Sequence, residues 1–410
     1  MRIHIASHLF VPRPQGVFCA ELARHWAGRG HEIVVFTGDP APASPYADEA
    51  GERYEVVGGL PMAYGRSSLG HRLASRVAFG ASAAAASARR HSPDVFLSAG
   101  VLPLLTETAL SMLGRAVGRG RPRRIGWVFD LWPDVLVAHR PGSTAVQMAT
   151  APLAGGTNLV LRLADDLVAI SPHMAAVISA RVAGGRGAPP VHTIPLWASA
   201  GPDRAAHAGD LVPAAAPDTV DARRPLRAMY HGNLGLSYDF EPILAGAARF
   251  APDEVTFVLV GDGAMRQSLA RRIERDRLTN VELRPPLPER EFTRSLGTAD
   301  VHLLPLRESW DGISFPSKLL PYLSVARPIV VLGPSTGESA RLVRDAGCGL
   351  TEAASAAGLE SALRTLAGNP TLRATMARAG RALYLRQFAA ARAFAAWDAL
   401  IADSTSGSGP

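Results

Sequence analysis

The sequence predicts two doubly wound, Rossmann-like α/β domains, each a parallel sheet wrapped by helices. Short apolar runs alternate with segments of helical periodicity along nearly the whole chain, as successive β-α-β units require. The alternation breaks once, across a stretch rich in Ala, Pro, Asp and Gly at 199–224, and then restarts. A chain of 410 residues with 47% hydrophobic content can bury two separate cores.

The first domain, 1–198, opens with Ile3 to Ser7, a run that reads as a buried strand and is too short for a secretory signal. A helix follows from about Phe18 to Arg29, then strands at Glu32 to Thr37, Val95 to Ser98, Arg124 to Phe129 and Leu167 to Ile170. After the linker, the second domain, 225–389, repeats the pattern with strands at Leu226 to His231, Thr256 to Val260, Val281 to Arg284, Val301 to Leu304 and Ile329 to Leu332. A last helix at about 390–402 can pack back onto the first domain, and the Ser/Gly-rich tail 403–410 is expected to be disordered.

The net charge of +7 and the pI near 10.0 come from dispersed basic residues interleaved with Asp and Glu, without a nucleic-acid-binding motif. Anionic small molecules, or the anionic inner surface of a membrane, suit such a chain better than nucleic acid. Cys19 and Cys348 have no metal-ligand spacing, so a reduced, cytoplasmic protein with structural cysteines is expected. The nearest approach to a membrane segment is Val77 to Ala88, flanked by Arg72, Arg76, Arg89 and Arg90; it is too rich in small residues to span and reads as a solvated helix.

Of the 43 Lys and Arg residues only Lys318 is a lysine. It closes the run Ser314-Phe315-Pro316-Ser317-Lys318, between a predicted strand and a predicted helix, where free amides, the helix dipole and a compact ammonium together suit a phosphate. Three other loops at predicted strand ends converge on the same place: His231-Gly232-Asn233-Leu234-Gly235, Gly261-Asp262-Gly263, and Pro305 leading to Glu308-Ser309-Trp310-Asp311-Gly312. Glycines at successive strand ends let backbone approach a nucleotide, and two such domains are expected to face each other across a ligand cleft. The phosphate-loop, dinucleotide, nucleophile-elbow and His-Glu-x-x-His fingerprints are all missing. In the first domain the loop Phe10 to Val17 and the run Asp130-Leu131-Trp132-Pro133-Asp134 stand at strand ends; Asp130 is there either an acceptor-side or catalytic group, or a turn cap beside a core Trp132.

These residues resemble the retaining, nucleotide-sugar-dependent glycosyltransferases of family 4, which pair two Rossmann-like domains in the GT-B arrangement. The resemblance rests on Pro14-Gln15-Gly16 with Arg29-Gly30-His31-Glu32, on Ala164-Asp165-Asp166-Leu167-Val168-Ala169-Ile170-Ser171, and on Gly232-Asn233-Leu234-Gly235, Val260-Gly261-Asp262-Gly263, Ala299-Asp300-Val301 and Ala326-Arg327-Pro328. Asp130 to Asp134 and Pro316-Ser317-Lys318 look most like the bacterial branch that builds surface polysaccharides, including fucosyl and N-acetylfucosaminyl transferases. The resemblance implies transfer, with retention, from a UDP- or GDP-linked sugar to a glycan, lipid-linked or small-molecule acceptor. It implies no metal or other cofactor, and a cytoplasmic protein that can touch the inner face of the plasma membrane.

Three departures accompany the resemblance. Asn233 and a residue near Tyr238 stand where the family has an Arg and a Lys for the diphosphate; Ile313 and Pro321 replace a pair of Glu; and Phe129 replaces a His. Lys318 is then expected to restore diphosphate charge, and Asp311 or Glu308 to serve the sugar or ribose. The expected site comprises Asp130 and Lys318 as catalytic groups, and Gly232, Asn233, Gly235, Gly261, Gly263, Asp311, Ser314, Pro316, Ser317 and Lys318 around the nucleotide-sugar. Arg13, Gly16, Trp132 and Asp134 lie on the acceptor side, with Arg66, Arg72 and Arg76 available as a further basic face. A nucleotide-sugar epimerase on a similar fold and a non-catalytic homologue are the alternatives.

Overall fold

The structure, a computed structural model, describes residues 1–8, 14–38, 54–58, 69–100, 105, 108, 121–184, 187–198 and 224–402. The chain divides into two compact units. The first is Met1–Val137, Ser143–Pro202 and Ala390–Pro410; the second is Ala138–Gly142 and Asp203–Ala389. Except for Arg224, the predicted linker lies outside the described residues, as do the tail 403–410, Arg13 and Arg66.

The first unit holds seven parallel strands: β1 (Arg2–Ser7), β2 (Glu32–Thr37), β3 (Tyr54–Gly58), β4 (Val95–Ala99), β5 (Arg123–Val128), β6 (Asp166–Ala169) and β7 (Val191–Thr193), in the order β3-β2-β1-β4-β5-β6-β7. The sequence reading missed both edges, β3 and β7. Edge strands are half open to solvent and need no continuous apolar run, so their signal is faint. Helices α1 (Pro14–Gly28), α2 (Leu69–Ala88), α3 (Asp134–Ala138), α4 (Thr144–Leu161) and α5 (Pro172–Val182) connect the strands. Phe79 and Ala83 of α2 are buried against Val34, Phe36 and Phe96, so the small-residue run on this helix serves close packing on the sheet.

The second unit holds six parallel strands: β8 (Leu226–His231), β9 (Val255–Val260), β10 (Val281–Arg284), β11 (Val301–Pro305), β12 (Ile329–Leu332) and β13 (Gly349–Glu352), in the order β10-β9-β8-β11-β12-β13. Its helices are α6 (Glu241–Ala247), α7 (Arg266–Arg275), α8 (Glu289–Gly297), α9 (Leu319–Ser324), α10 (Glu338–Asp345), α11 (Ala356–Ala367) and α12 (Pro370–Leu383). The last helix, α13 (Ala390–Ala402), belongs to the first unit. Its Trp397 is fully buried between Trp26 and Trp127, at 5.9 and 4.9 Å between ring centres, and Asp398 accepts from Trp26 Nε1 at 3.1 Å and His25 Nε2 at 3.0 Å.

One device recurs in both units. Asp94, Asp165 and Asp300 each stand one residue before a strand, and their carboxylates accept the amides of Arg2 (2.7 Å), Arg124 (2.8 Å) and Arg227 (2.8 Å) at the start of the neighbouring strand. The same three Asp amides donate back to Arg2, Arg124 and Arg227 carbonyls at 2.8, 2.8 and 2.9 Å. The carboxylates are held by guanidinium groups too: Asp165 by Arg124, and Asp300 by both nitrogens of Arg224 at 2.7 Å. The Ala-Asp pairs at 164–165 and 299–300 therefore set sheet register at the end of the strands away from the glycine loops.

Candidate active site

At the carboxyl ends of β8 and β9 the two glycine loops are locked together by backbone. Gly232 N donates to Val260 O at 2.9 Å, Leu234 N to Asp262 O at 2.8 Å, and Met265 N to Leu234 O at 2.9 Å. Gly232, Gly261 and Gly263 have φ of 134°, 145° and 150°, a region L side chains avoid. A Cβ on Gly261 would run into the Gly232 carbonyl, and one on Gly263 would meet Asn233 Oδ1 at 2.5 Å. Tyr230 ties the first loop down from below, its hydroxyl donating to Asn233 O at 2.5 Å.

Lys318 reaches into this pair of loops from the start of α9. A Cβ on Gly232 would lie 2.5 Å from Lys318 Cε, so the lysine chain covers the glycine face. Its ammonium stands 4.0 Å from the centre of the Tyr238 ring and 5.5 Å from that of Tyr230. Such cation–aromatic contacts are worth ~0.5–2 kcal/mol and leave the donor hydrogens available. None of the ion pairs among the described residues includes Lys318. The helix behind it is shorter than the sequence suggested: α9 has six residues, with Pro316 ahead of it and Pro321 inside its first turn. Its dipole is correspondingly small, so the side-chain charge is the main electropositive feature here.

His231, beside Gly232, is 4% exposed, and neither ring nitrogen has a hydrogen-bond partner among the described residues. Its ring meets Phe292 edge-on at 4.6 Å, while Tyr322 Oη accepts from His231 N at 3.0 Å. Burial, and then the Lys318 charge, hold the imidazole neutral by lowering its pKa to about 4. Sequence reading passed over this histidine and both tyrosines, because their roles depend on neighbours far away in the chain.

The remaining predicted residues fall into several surroundings. Ser314, Pro316 and Ser317 are half-buried in the turn leading to Lys318, and Gly235 is buried beside Asn233. Asp311 caps α10, accepting from Glu338 N at 3.0 Å, and Glu308 is exposed in the 3-10 turn Glu308–Trp310. In the first unit Asp130 is exposed at the end of β5 and Trp132 is half-buried, next to a cis Trp132-Pro133 bond. Asp134 is held bidentately by Arg181 at 2.8 and 2.5 Å, which makes it a brace between α3 and α5. Gly16 was expected in a loop; it lies in the first turn of α1, which starts at Pro14, whose fixed φ suits that position. Phe129 stacks into an aromatic cluster with Trp127 at 4.5 Å and Phe18 at 6.3 Å. Both thiols are buried, and burial pushes Cys19 up to about 12 and Cys348 up to about 11.

The chain matches two family models, one described as "Glycosyl transferase 4-like domain" over residues 15–197 and one as "Glycosyl transferases group 1" over residues 229–369. Both halves are glycosyltransferase domains. Their two parallel α/β sheets have GT-B glycosyltransferases as structural neighbours. One solved structure of similar fold is a sucrose-phosphate synthase from Thermosynechococcus elongatus, with a TM-score of 0.75, 16% identity and full coverage of both chains. Another is HepE of Anabaena in complex with UDP and glucose, with a TM-score of 0.67, 15% identity, and coverage of 99% of this chain and 100% of that one. At these identities the likeness is one of fold. The probable glycosyltransferase WbjE of Pseudomonas aeruginosa is 28% identical over 122 residues, 29% of this chain and 30% of that protein. The match thus spans under a third of that relative's length. The fucosyl and N-acetylfucosaminyl branch finds no separate support in these matches.

Proposed function

We propose that these glycosyltransferase domains move a sugar from a UDP- or GDP-linked donor to a glycan, lipid-linked or small-molecule acceptor, with retention of anomeric configuration. The observation that carries the reading is Lys318. Its ammonium, held on two tyrosine faces beside the Gly232 and Gly261 loops, is a cation without an ion-pair partner at the carboxyl ends of a doubly wound sheet. Asn233 and Tyr238 fill positions that the family resemblance gives to basic residues, and Lys318 brings positive charge back to that spot through space. HepE, a protein of similar fold, has been solved with UDP and glucose, which supports a nucleotide-sugar donor.

In this reading the anomeric carbon–diphosphate bond breaks as the acceptor oxygen bonds on the same face, and the acceptor's proton passes to a leaving diphosphate oxygen. Charge grows on the diphosphate, so Lys318 and the amides of Ser317 and Lys318 act most strongly in the transition state. No resident metal is invoked. Asp130, exposed at the end of β5, is assigned to the acceptor side. Calorimetric titration of UDP and of GDP into wild type and Lys318→Ala tests the reading. Binding of one nucleotide, weakened at least about tenfold in the variant, is expected. Equal binding by both proteins would remove Lys318 from the site, and no binding of either nucleotide would overturn the donor class.

A further inference from the structure

Helix α4 is apolar on every side and still mostly open to solvent. Between Arg140 and Arg162 the chain carries no Asp, Glu, Lys, Arg or His. Within the helix only Thr150, Val160 and Leu161 are buried, while Met148 is 72% and Leu159 62% exposed. Met148, Pro152, Gly155 and Leu159 follow one another at helical spacing along one exposed stripe, with Ala145, Ala149 and Gly156 beside it. A solvent-facing helix ordinarily carries charge on its outer face, as α7 does with Arg271, Arg272, Glu274 and Arg275. A helix uncharged all round is normally covered.

The surrounding charge indicates the cover. The nearest acidic groups along the chain, Asp134 and Asp165, are already paired with Arg181 and Arg124, at 2.8 and 3.3 Å. Arg140 is exposed ahead of the helix, and Arg162 ends it. The whole chain carries +7. An apolar stripe bounded by arginines and free of carboxylates complements an apolar layer under negative headgroups. No helix among the described residues is long and apolar enough to cross a membrane, and Pro152 leaves the Met148 carbonyl without its helical amide, so the segment suits the interface and not the hydrocarbon core.

We infer that α4 is a docking face for an anionic bilayer, lying in the interface with Met148 and Leu159 toward the acyl chains. The inference is independent of the donor reading. Co-sedimentation with vesicles of phosphatidylcholine alone, or with about a third phosphatidylglycerol, tests it on the full chain. Wild type should sediment with the anionic vesicles and stay in solution with the neutral ones. Met148→Glu/Leu159→Glu should lose at least about tenfold in partitioning, and Arg140→Glu a smaller factor, with thermal transitions unchanged. Should the double variant not fold, Met148→Glu alone serves the comparison. No sedimentation of wild type, or sedimentation indifferent to the α4 substitutions, would overturn the inference. So would light scattering that shows a dimer dispersed by Met148→Glu/Leu159→Glu, since a second copy would then be the cover.

Discussion

The Lys318 ammonium lies 4.0 Å from the centre of the Tyr238 ring, and the same lysine chain covers the bare backbone of Gly232. The tyrosine therefore positions the cation, and the glycine makes room for it. Tyr238→Phe should keep nucleotide affinity within about twofold, because the ring face survives, whereas Tyr238→Leu should weaken it about three- to tenfold. Calorimetry with the nucleotide that wild type binds reads both. Lys318→Arg should bind poorly as well, since a planar guanidinium does not fit the space beside Gly232 that the compact ammonium fills.

Gly232 and Gly261 should separate function from stability. Alanine at 232 would meet the movable end of a lysine side chain at 2.5 Å, so it should displace Lys318 and cost nucleotide affinity more than it costs folding beyond the strain of φ 134°. Alanine at 261 would meet the Gly232 carbonyl, which is backbone held by the sheet, and should cost about 3 kcal/mol or more. Urea unfolding beside nucleotide titration distinguishes them, and equal stability losses would contradict the assignment.

Asp300→Ala removes the acceptor for the Arg227 amide and both contacts of Arg224, in a group that is 5% exposed. The loss should be about 2–4 kcal/mol, because a buried amide and a guanidinium are left without partners. Asp300→Asn should recover part of it. A midpoint shift in denaturant unfolding is the measurement.

Three buried histidines set an acid limit. Burial lowers His4 and His231 to about 4 and His302 to about 3 from an ordinary 6.5. The unfolded chain then holds more protons than the folded one across that interval, so stability is complete above pH 6.5 and falls as the pH drops toward 4. Each should account for about 2 kcal/mol between pH 6.5 and 4.5, and His231→Phe should flatten the profile by one such share. Thermal melts across this range check the slope; stability that rises on acidification would refute it.

Much of the fold was legible because central strands such as β1, β9 and β12 are buried on both faces and must be continuously apolar. The edge strands β3, β7 and β13 escaped notice because half-open strands carry no such demand. Within the site, the glycines were legible because φ near 140° leaves few alternatives at 232, 261 and 263. Asp134 and Asp311 were read as ligand-facing groups. Their occupation by Arg181 and by the start of α10 depends on residues brought up by other elements.

The sequence by itself determined the alternation that builds two parallel sheets, the glycine loops at the strand ends and the uniqueness of Lys318, since each follows from local chemistry read along one chain. Only the tertiary structure decided that Lys318 meets Tyr238 and Gly232, that Asp134 is neutralised, and that α4 keeps its uncharged face outward. These are contacts across space, and a pattern of residues in sequence leaves open which of many distant partners packing will supply.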